Sequence, residues 1–255
     1  MLKEKYYIYG KHAVLAALKN SERNIQKIFI DKSDNELQKT IRMLLVKANS
    51  KNLIELVHKS LIENKLKNKV KHQGVIVQAK KLHLHDFMEI INNNNKYSYK
   101  YGVILDSLTD VNNIGAIYRS AKAFGIDFII NTKRKSVLET SSLLNVACGT
   151  FDTLKTFTTN NIVNAIQKLK DKNWWIIGMD HLGNININKV LEKMNNDDKC
   201  IFVLGSEGKG IRRLVKNNCH FLANIPTMSD ANSINVSNAA VIVFYQLYLK
   251  SLQVK

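Results

Sequence analysis

Over the first eighty residues, short apolar runs alternate with segments of helical spacing. Tyr6 to Tyr9 reads as a strand, broken by Gly10. Lys11 to Lys19 carries Val14, Leu15 and Leu18 at the recurrence of an amphipathic helix. Ile25 to Ile30 predicts a second strand. Leu37 to Ala48 predicts a helix with Ile41, Leu44 and Leu45 on one face. Leu53 to Val57 and Gly74 to Ala79 predict two more strands, the latter after a basic loop from Lys65 to His72. Elements of this size and order predict a small α/β domain over residues 1–80. The pattern then fades. Lys80, Lys81, alternating His83 and His85, and the run Asn92-Asn93-Asn94-Asn95 predict a linker over 81–100, because such side chains are costly to bury. The two histidines have no third metal ligand nearby in sequence.

From Tyr101 onward the runs are longer and more apolar. Tyr101 to Leu105 predicts a strand. Ile114, Ile117, Ala121 and Phe124 predict a helix stopped by Gly125, and Ile126 to Ile130 predicts a strand. Leu138 to Ala147 predicts a helix, Phe151 to Phe157 a strand, Ile162 to Lys170 a helix and Trp174 to Gly178 a buried strand. In the last quarter, Cys200 to Leu204 runs into Gly205-Ser206-Glu207-Gly208-Lys209-Gly210. Phe221 to Ile225 runs into Pro226, the chain's one proline, and a polar loop leads to a long helix with Val236, Ala240, Val243, Phe244 and Leu247 in a stripe. That stripe is compatible with an interface, and burial in the core is its first expected use. Both polar loops follow strands, and ligands of open α/β sheets collect at the carboxyl ends of strands. The two loops therefore predict one pocket.

Charge changes the picture. Lys and Arg outnumber Asp and Glu by 38 to 21, a formal net charge of +17 over 255 residues. Such a charge draws polyanions and points to a nucleic-acid partner. No window has the roughly 18 uninterrupted apolar residues of a membrane helix. Met1-Leu2-Lys3-Glu4-Lys5 lacks the apolar stretch of a secretory signal, so a cytoplasmic location with no membrane partner is expected. Cys148, Cys200 and Cys219 have no paired spacing and read as reduced thiols. No cluster of residues calls for a metal.

The chemistry lies in ordered polar sets at strand ends. The first is Asp106, Asp110, Asn113, Gly115 and Arg119. Arg119 lies one helical turn beyond Gly115, within reach of the loop. The second is the glycine loop from Gly205 to Gly210, which has neither dinucleotide-fingerprint nor P-loop spacing. The third is Ile225-Pro226 followed by Ser233-Ile234-Asn235-Val236-Ser237. Together they resemble the three motifs of the SpoU (TrmH-type) RNA ribose methyltransferases, closely from Tyr101 to Lys250. Tyr9-Gly10-Lys11-His12-Ala13-Val14 and His72-Gln73-Gly74-Val75 resemble, more loosely, the ends of the ribosomal-protein-L30e-like RNA-binding domain that precedes many of these enzymes. Three positions depart from the family. Val111 stands in place of a proline, Thr227 in place of a methionine, and Ser229 in place of a glycine.

The resemblance implies an α/β protein with a knotted (SPOUT-type), mostly parallel C-terminal sheet over 101–255 and helices on both faces. It implies S-adenosyl-L-methionine as methyl donor and a ribose 2′-hydroxyl of RNA as acceptor, with 23S ribosomal RNA and a guanosine first in line. Arg119, Asn113, Glu207, Ser233 and Asn235 take the catalytic frame. Leu204, Gly205, Gly208, Ile225, Pro226, Ile234 and Ser237 take the cofactor. Gly205 and Gly208 would let backbone approach the ligand closely. A homodimer with a shared active site is also implied. Transfer RNA as substrate, or a non-catalytic RNA-binding assembly factor, are the competing readings.

Overall fold

In a computed structural model, the structure describes residues 6–47, 53–66, 69–92, 99–133, 139–228 and 233–252. Ser229, Ala48, Leu138 and most of the asparagine run lie outside them. The chain divides into two compact units. One is Met1–His83 with Glu139–Thr153; the other is Leu84–Leu138 with Leu154–Lys255.

The first unit holds strands β1 (Tyr7–Tyr9), β2 (Ile25–Asp31), β3 (Ile54–Val57) and β4 (Val75–Ala79) in the order β1-β4-β2-β3. β4 runs antiparallel to both neighbours, and β2 and β3 are parallel. Helices α1 (Lys11–Lys19), α2 (Asn35–Lys47) and α3 (Lys59–Leu66) connect them. Helix α3 falls between the expected strand, which ends at Val57, and the expected basic loop, which it enters at Lys65. Its single fully buried residue, Ile62, is too few to show a period. Tyr9, Phe29, Val57, Ile62 and Ile76 form one core of this unit.

Residues 139–153 also fold here, which the expected boundary at residue 101 does not anticipate. The expected helix from 138 is short, α6 (Ser141–Val146), because the Thr140 hydroxyl caps it by accepting from Leu143 N at 3.1 Å. The expected strand from Phe151 to Phe157 begins only at Lys155, and a 3-10 turn, Thr150–Asp152, takes its first residues. Gly149 before it has φ +84°. A Cβ there would lie 2.7 Å from His12 O and 2.5 Å from Ala16 Cβ, so only glycine lets this turn lie against α1.

The second unit is an eight-stranded sheet in the order β10-β12-β9-β11-β6-β7-β8-β5, with every neighbouring pair parallel. Its strands are β5 (His85–Asp86), β6 (Tyr101–Asp106), β7 (Phe128–Thr132), β8 (Lys155–Thr159), β9 (Trp174–Met179), β10 (Ile185–Asn186), β11 (Lys199–Gly205) and β12 (Phe221–Asn224). Its helices are α4 (Met88–Asn92), α5 (Val111–Ala123), α7 (Ile162–Lys170), α8 (Ile187–Lys193), α9 (Arg213–Lys216) and α10 (Val236–Leu252). Strands buried on both faces read as continuous apolar runs, which is why β6, β9 and β11 were visible in sequence. Ile104, Ile130, Ile176 and Val203 pack with Phe87 and with Ile90, Ile162, Ile166, Leu169 and Val215 of the α4, α7 and α9 layer. Alternation sends the intervening residues to the other face, where Phe202 meets Phe244 of α10. Ala240, Val243, Phe244 and Leu247 are buried as the stripe predicts, and Val236 is half-buried.

Part of the expected linker is structured. His85 and Asp86 add an edge strand to β8, and Ile90 of α4 is 7% exposed in the core. His85 Nδ1 pairs with Glu89 Oε1 at 2.9 Å. Among the described residues, no helix is long and apolar enough to cross a membrane.

Candidate active site

The three polar sets meet at the carboxyl end of the sheet. In β6 and β11 the last register partners are Asp106 and Gly205, so the first and second loops leave side by side. Asp110 ends the first loop and caps α5, its carboxylate accepting from Asn112 N at 2.6 Å and Asn113 N at 3.3 Å. Val111 is then the first residue of the helix, a position that suits proline but does not require it. The helix start survives this departure because Asp110 supplies the cap.

The glycine loop is a closed hairpin. Gly210 N donates to Ser206 O at 2.8 Å, and Ser206 N to Gly210 O at 3.2 Å. Gly208 and Gly210 have φ of +78° and +61°, which glycine takes without strain. A Cβ on Gly205 would lie 2.1 Å from the Gly210 carbonyl carbon. The backbone that approaches Gly205 is therefore the loop's own; the sequence reading reserved that space for a ligand.

This folding brings one residue from each set together. Asn113 Nδ2 donates to Glu207 Oε1. Asn235 Nδ2 donates to the same oxygen at 2.8 Å and to Asn113 Oδ1 at 3.2 Å. Asn235 also caps α10: its Oδ1 accepts from Ser237 N at 2.9 Å and Ser237 Oγ at 2.7 Å. The Ser237 hydroxyl is thus engaged in the cap. Asn113 is 9% exposed, whereas Glu207 and Asn235 are open to solvent. The trio is fixed from behind and accessible from outside.

The other expected residues lie around it. Ser233 and Pro226 are exposed, Ile225 and Ile234 half-buried, and Leu204 buried, so only the backbone of Leu204 can serve a ligand. Thr227 is exposed. No hydrogen bond or ion pair among the described residues joins Arg119 to the trio. Tyr118 fixes the rotation of α5: its hydroxyl lies 3.1 Å from Thr156 Oγ1 and accepts from Asn131 Nδ2 at 3.0 Å, and burial pushes its pKa up to about 12 against those partners. With Tyr118 facing inward, Arg119 faces solvent, and no described residue of the chain pairs with it.

Two contacts at this edge, Asp106 with Arg212 and Asp180 with Lys216, had no signal in the sequence. Asp106 is fully buried and accepts from Arg212 N at 2.9 Å and Nε at 2.6 Å. Ser107, at φ +65°, adds its hydroxyl to the same carboxylate at 3.2 Å. At the end of β9, Asp180 binds Lys216 and accepts from Leu182 N at 3.1 Å. Burial pushes the Asp180 carboxyl up, but Lys216, Leu182 N and His181 outweigh it and hold it below the usual range.

Residues 100–245 match the model of the SpoU rRNA Methylase family, and residues 7–85 match the model for RNA 2′-O ribose methyltransferase substrate binding. The chain belongs to the SpoU rRNA methylase family. It is with that family an RNA 2′-O-ribose methyltransferase. It is 32% identical to the 23S rRNA (guanosine-2′-O-)-methyltransferase RlmB of Neisseria meningitidis, over 92% of each chain. It is 34% identical to a putative TrmH family tRNA/rRNA methyltransferase of Staphylococcus haemolyticus, over 98% of each. Its fold is similar to that of the SpoU methyltransferase AviRb from Streptomyces viridochromogenes, solved with AdoMet. The TM-score is 0.77 at 19% identity, covering 98% of this chain and 91% of that one. The AdoMet-bound rRNA methyltransferase of Sinorhizobium meliloti is similar at a TM-score of 0.77 and 17% identity, covering 97% and 88%.

Proposed function

We propose that this family member transfers a methyl group from S-adenosyl-L-methionine to the ribose 2′-hydroxyl of a guanosine in 23S ribosomal RNA. The observation that carries the reading is the hydrogen-bonded trio Asn113, Glu207 and Asn235, one residue from each motif, at one sheet edge. The RlmB relatives support the substrate, and the net charge of +17 supports a polyanion.

The residues present fit the cofactor. Ile225 and Ile234 offer half-buried apolar surface. Leu204, Gly205 and Pro226 offer backbone groups at the ends of β11 and β12, which flank β9 in the sheet. The same reading assigns Gly208 and Ser237 to the cofactor. When bound, adenosylmethionine supplies a methyl group already activated by its sulfonium charge. The chain's task is then mainly alignment. Asn113, Glu207, Ser233 and Asn235 orient the acceptor sugar. Arg119 steadies the developing alkoxide, the role a preorganised guanidinium performs best.

Arg119 performs it across a homodimer. It is exposed and unpaired among the described residues of its own chain. On the neighbouring helix α10, Val241, Tyr245, Tyr248, Leu249 and Leu252 remain 38–47% exposed, with Phe124 packed against both tyrosines. A second copy covering that face would bring the partner subunit's Arg119 to the trio. The knotted chain path and a cytoplasmic location belong to the same reading.

The test is transfer of labelled methyl from adenosylmethionine to RNA from cells lacking the enzyme, followed by mapping. A ribose-methylated guanosine in 23S RNA is expected, and Arg119→Ala slows transfer by about 10²–10³-fold. Label on a base, or none with the unaltered protein, overturns the proposal. Label confined to transfer RNA overturns the substrate.

A further inference from the structure

The glycine loop carries charges that the trio does not use. Lys209, Arg212 and Arg213 fall within five residues, all three exposed. Lys209 and Arg213 have no acidic partner among the described residues. Other cations of this unit do: Lys216 binds Asp180, Lys133 binds Asp86 at 3.1 Å, and Lys100 lies 3.7 Å from Asp197.

Arg212 is held in an unusual way. Its Nε donates to Asp106, a carboxylate with no exposed surface, while its own side chain is 47% exposed. A carboxylate this deep is costly unless donors satisfy it, so the contact is tightly specified. Among the described residues, Nε is the guanidinium atom that is engaged. The two Nη groups have no acceptor among the described residues, and the side chain that carries them is half exposed. A planar fork held in this way matches two oxygens of a phosphate, and its orientation is set before the ligand arrives. Asp106 is the register partner of Gly205, so the fork stands at the strand ends from which Asn113 and Glu207 are displayed.

We propose that Arg212, flanked by Lys209 and Arg213, clamps a phosphodiester of the substrate RNA near the acceptor nucleotide. This rests on the RNA methyltransferase reading above. It gives the second unit an RNA contact of its own, apart from residues 7–85. Asp106 acts only through Arg212 and is a positioning residue.

The experiment measures the Kd for 23S RNA over a salt series, and the Kd for adenosylmethionine by calorimetry. Arg212→Gln is expected to weaken RNA binding by about tenfold and to flatten the salt slope by about 0.7–0.9, the value of one phosphate. Adenosylmethionine affinity stays within about twofold. Lys209→Gln/Arg213→Gln leaves Asp106 paired, so it decides the matter even if Arg212→Gln fails to fold. It is expected to weaken RNA binding about tenfold and to flatten the slope by about 1.5. Unchanged RNA affinity and slope in the folded variants overturns the clamp. So does lost adenosylmethionine binding with RNA binding intact, which would make Arg212 a brace for the glycine loop. RNA affinity is read without methyl transfer, so an unaltered protein that binds RNA through Arg212 but never methylates it would sink the proposed function and leave the clamp standing.

Discussion

Each unit contains a cluster of carboxylates and nitrogen donors, and the two clusters are opposites. In the first unit, Arg23 has a side chain with no exposed surface. Its Nε donates to Asp152 Oδ1 at 2.9 Å, and its Nη1 donates to Glu139 and, at 3.4 Å, to Lys80 O. Asn20 Nδ2 donates to Asp152 at 3.0 Å, and Leu82 N to Glu139 at 2.7 Å. Burial, then the Glu139 carboxylate, pushes the Tyr6 phenol far above its usual range. Burial also raises the Asp152 carboxyl despite Arg23. In the second unit, Asn113, Glu207 and Asn235 bond to one another at the surface. The first cluster is closed, and its hydrogen-bonding capacity is turned inward to hold residues 139–153. The second is braced on one side and open on the other, as a site for a ligand must be. A polar cluster signals function by the side it leaves free, not by its residue types.

The largest effect that can break this contrast is on stability. Arg23→Met leaves two carboxylates without their buried cation and is expected to cost about 3–5 kcal/mol by denaturant unfolding. A cost under about 1 kcal/mol, the level of exposed pairs, would mean that the first cluster is not closed. The next effect is on activity alone. Asn235→Ser keeps a capping hydroxyl for α10 but removes the Nδ2 donor to Glu207 and Asn113. Methyl transfer is expected to fall by about 10²-fold, with stability within about 0.5 kcal/mol of the parent. An active variant would show the trio to be scaffolding. The smallest effect concerns an intermediate case at the other edge of the sheet. His220 Nδ1 accepts from Ile176 N at 3.0 Å, and partial desolvation of this largely exposed ring, then Lys170, lowers its pKa below the usual value. The unfolded chain therefore takes up the proton first. This contribution to stability is present above about pH 6.5 and is lost as pH falls through the lowered folded value. His220→Gln should flatten the melting-temperature slope between pH 7.5 and 5 by about 1–2 °C. An unchanged slope would assign that pH dependence elsewhere.

The α/β class, the buried parallel strands and the three polar sets could all be read from the amino-acid order. β6, β9 and β11 are runs buried on both faces, and α5 and α10 carry long apolar stripes. Those signals are local, and a strand or helix displays its own burial period. Short elements were not readable. α3 and α4 each bury a single side chain and show no period, α8 is only seven residues long, and β5 and β10 have only two residues apiece. The placement of residues 139–153 was not readable either. It depends on Arg23 reaching Glu139 and Asp152, contacts spanning more than a hundred positions.

The sequence by itself determined which side chains stand at the strand ends, because the strands announce themselves and the loops follow directly. Only the tertiary structure decided what those side chains do. It joined Asn113, Glu207 and Asn235 through hydrogen bonds between residues 28 to 122 positions apart. It turned Arg119 away by burying Tyr118, and it used Asp106 to aim Arg212. Hydrogen-bond direction and burial are set by neighbours in space, and neither leaves a periodic mark along the chain.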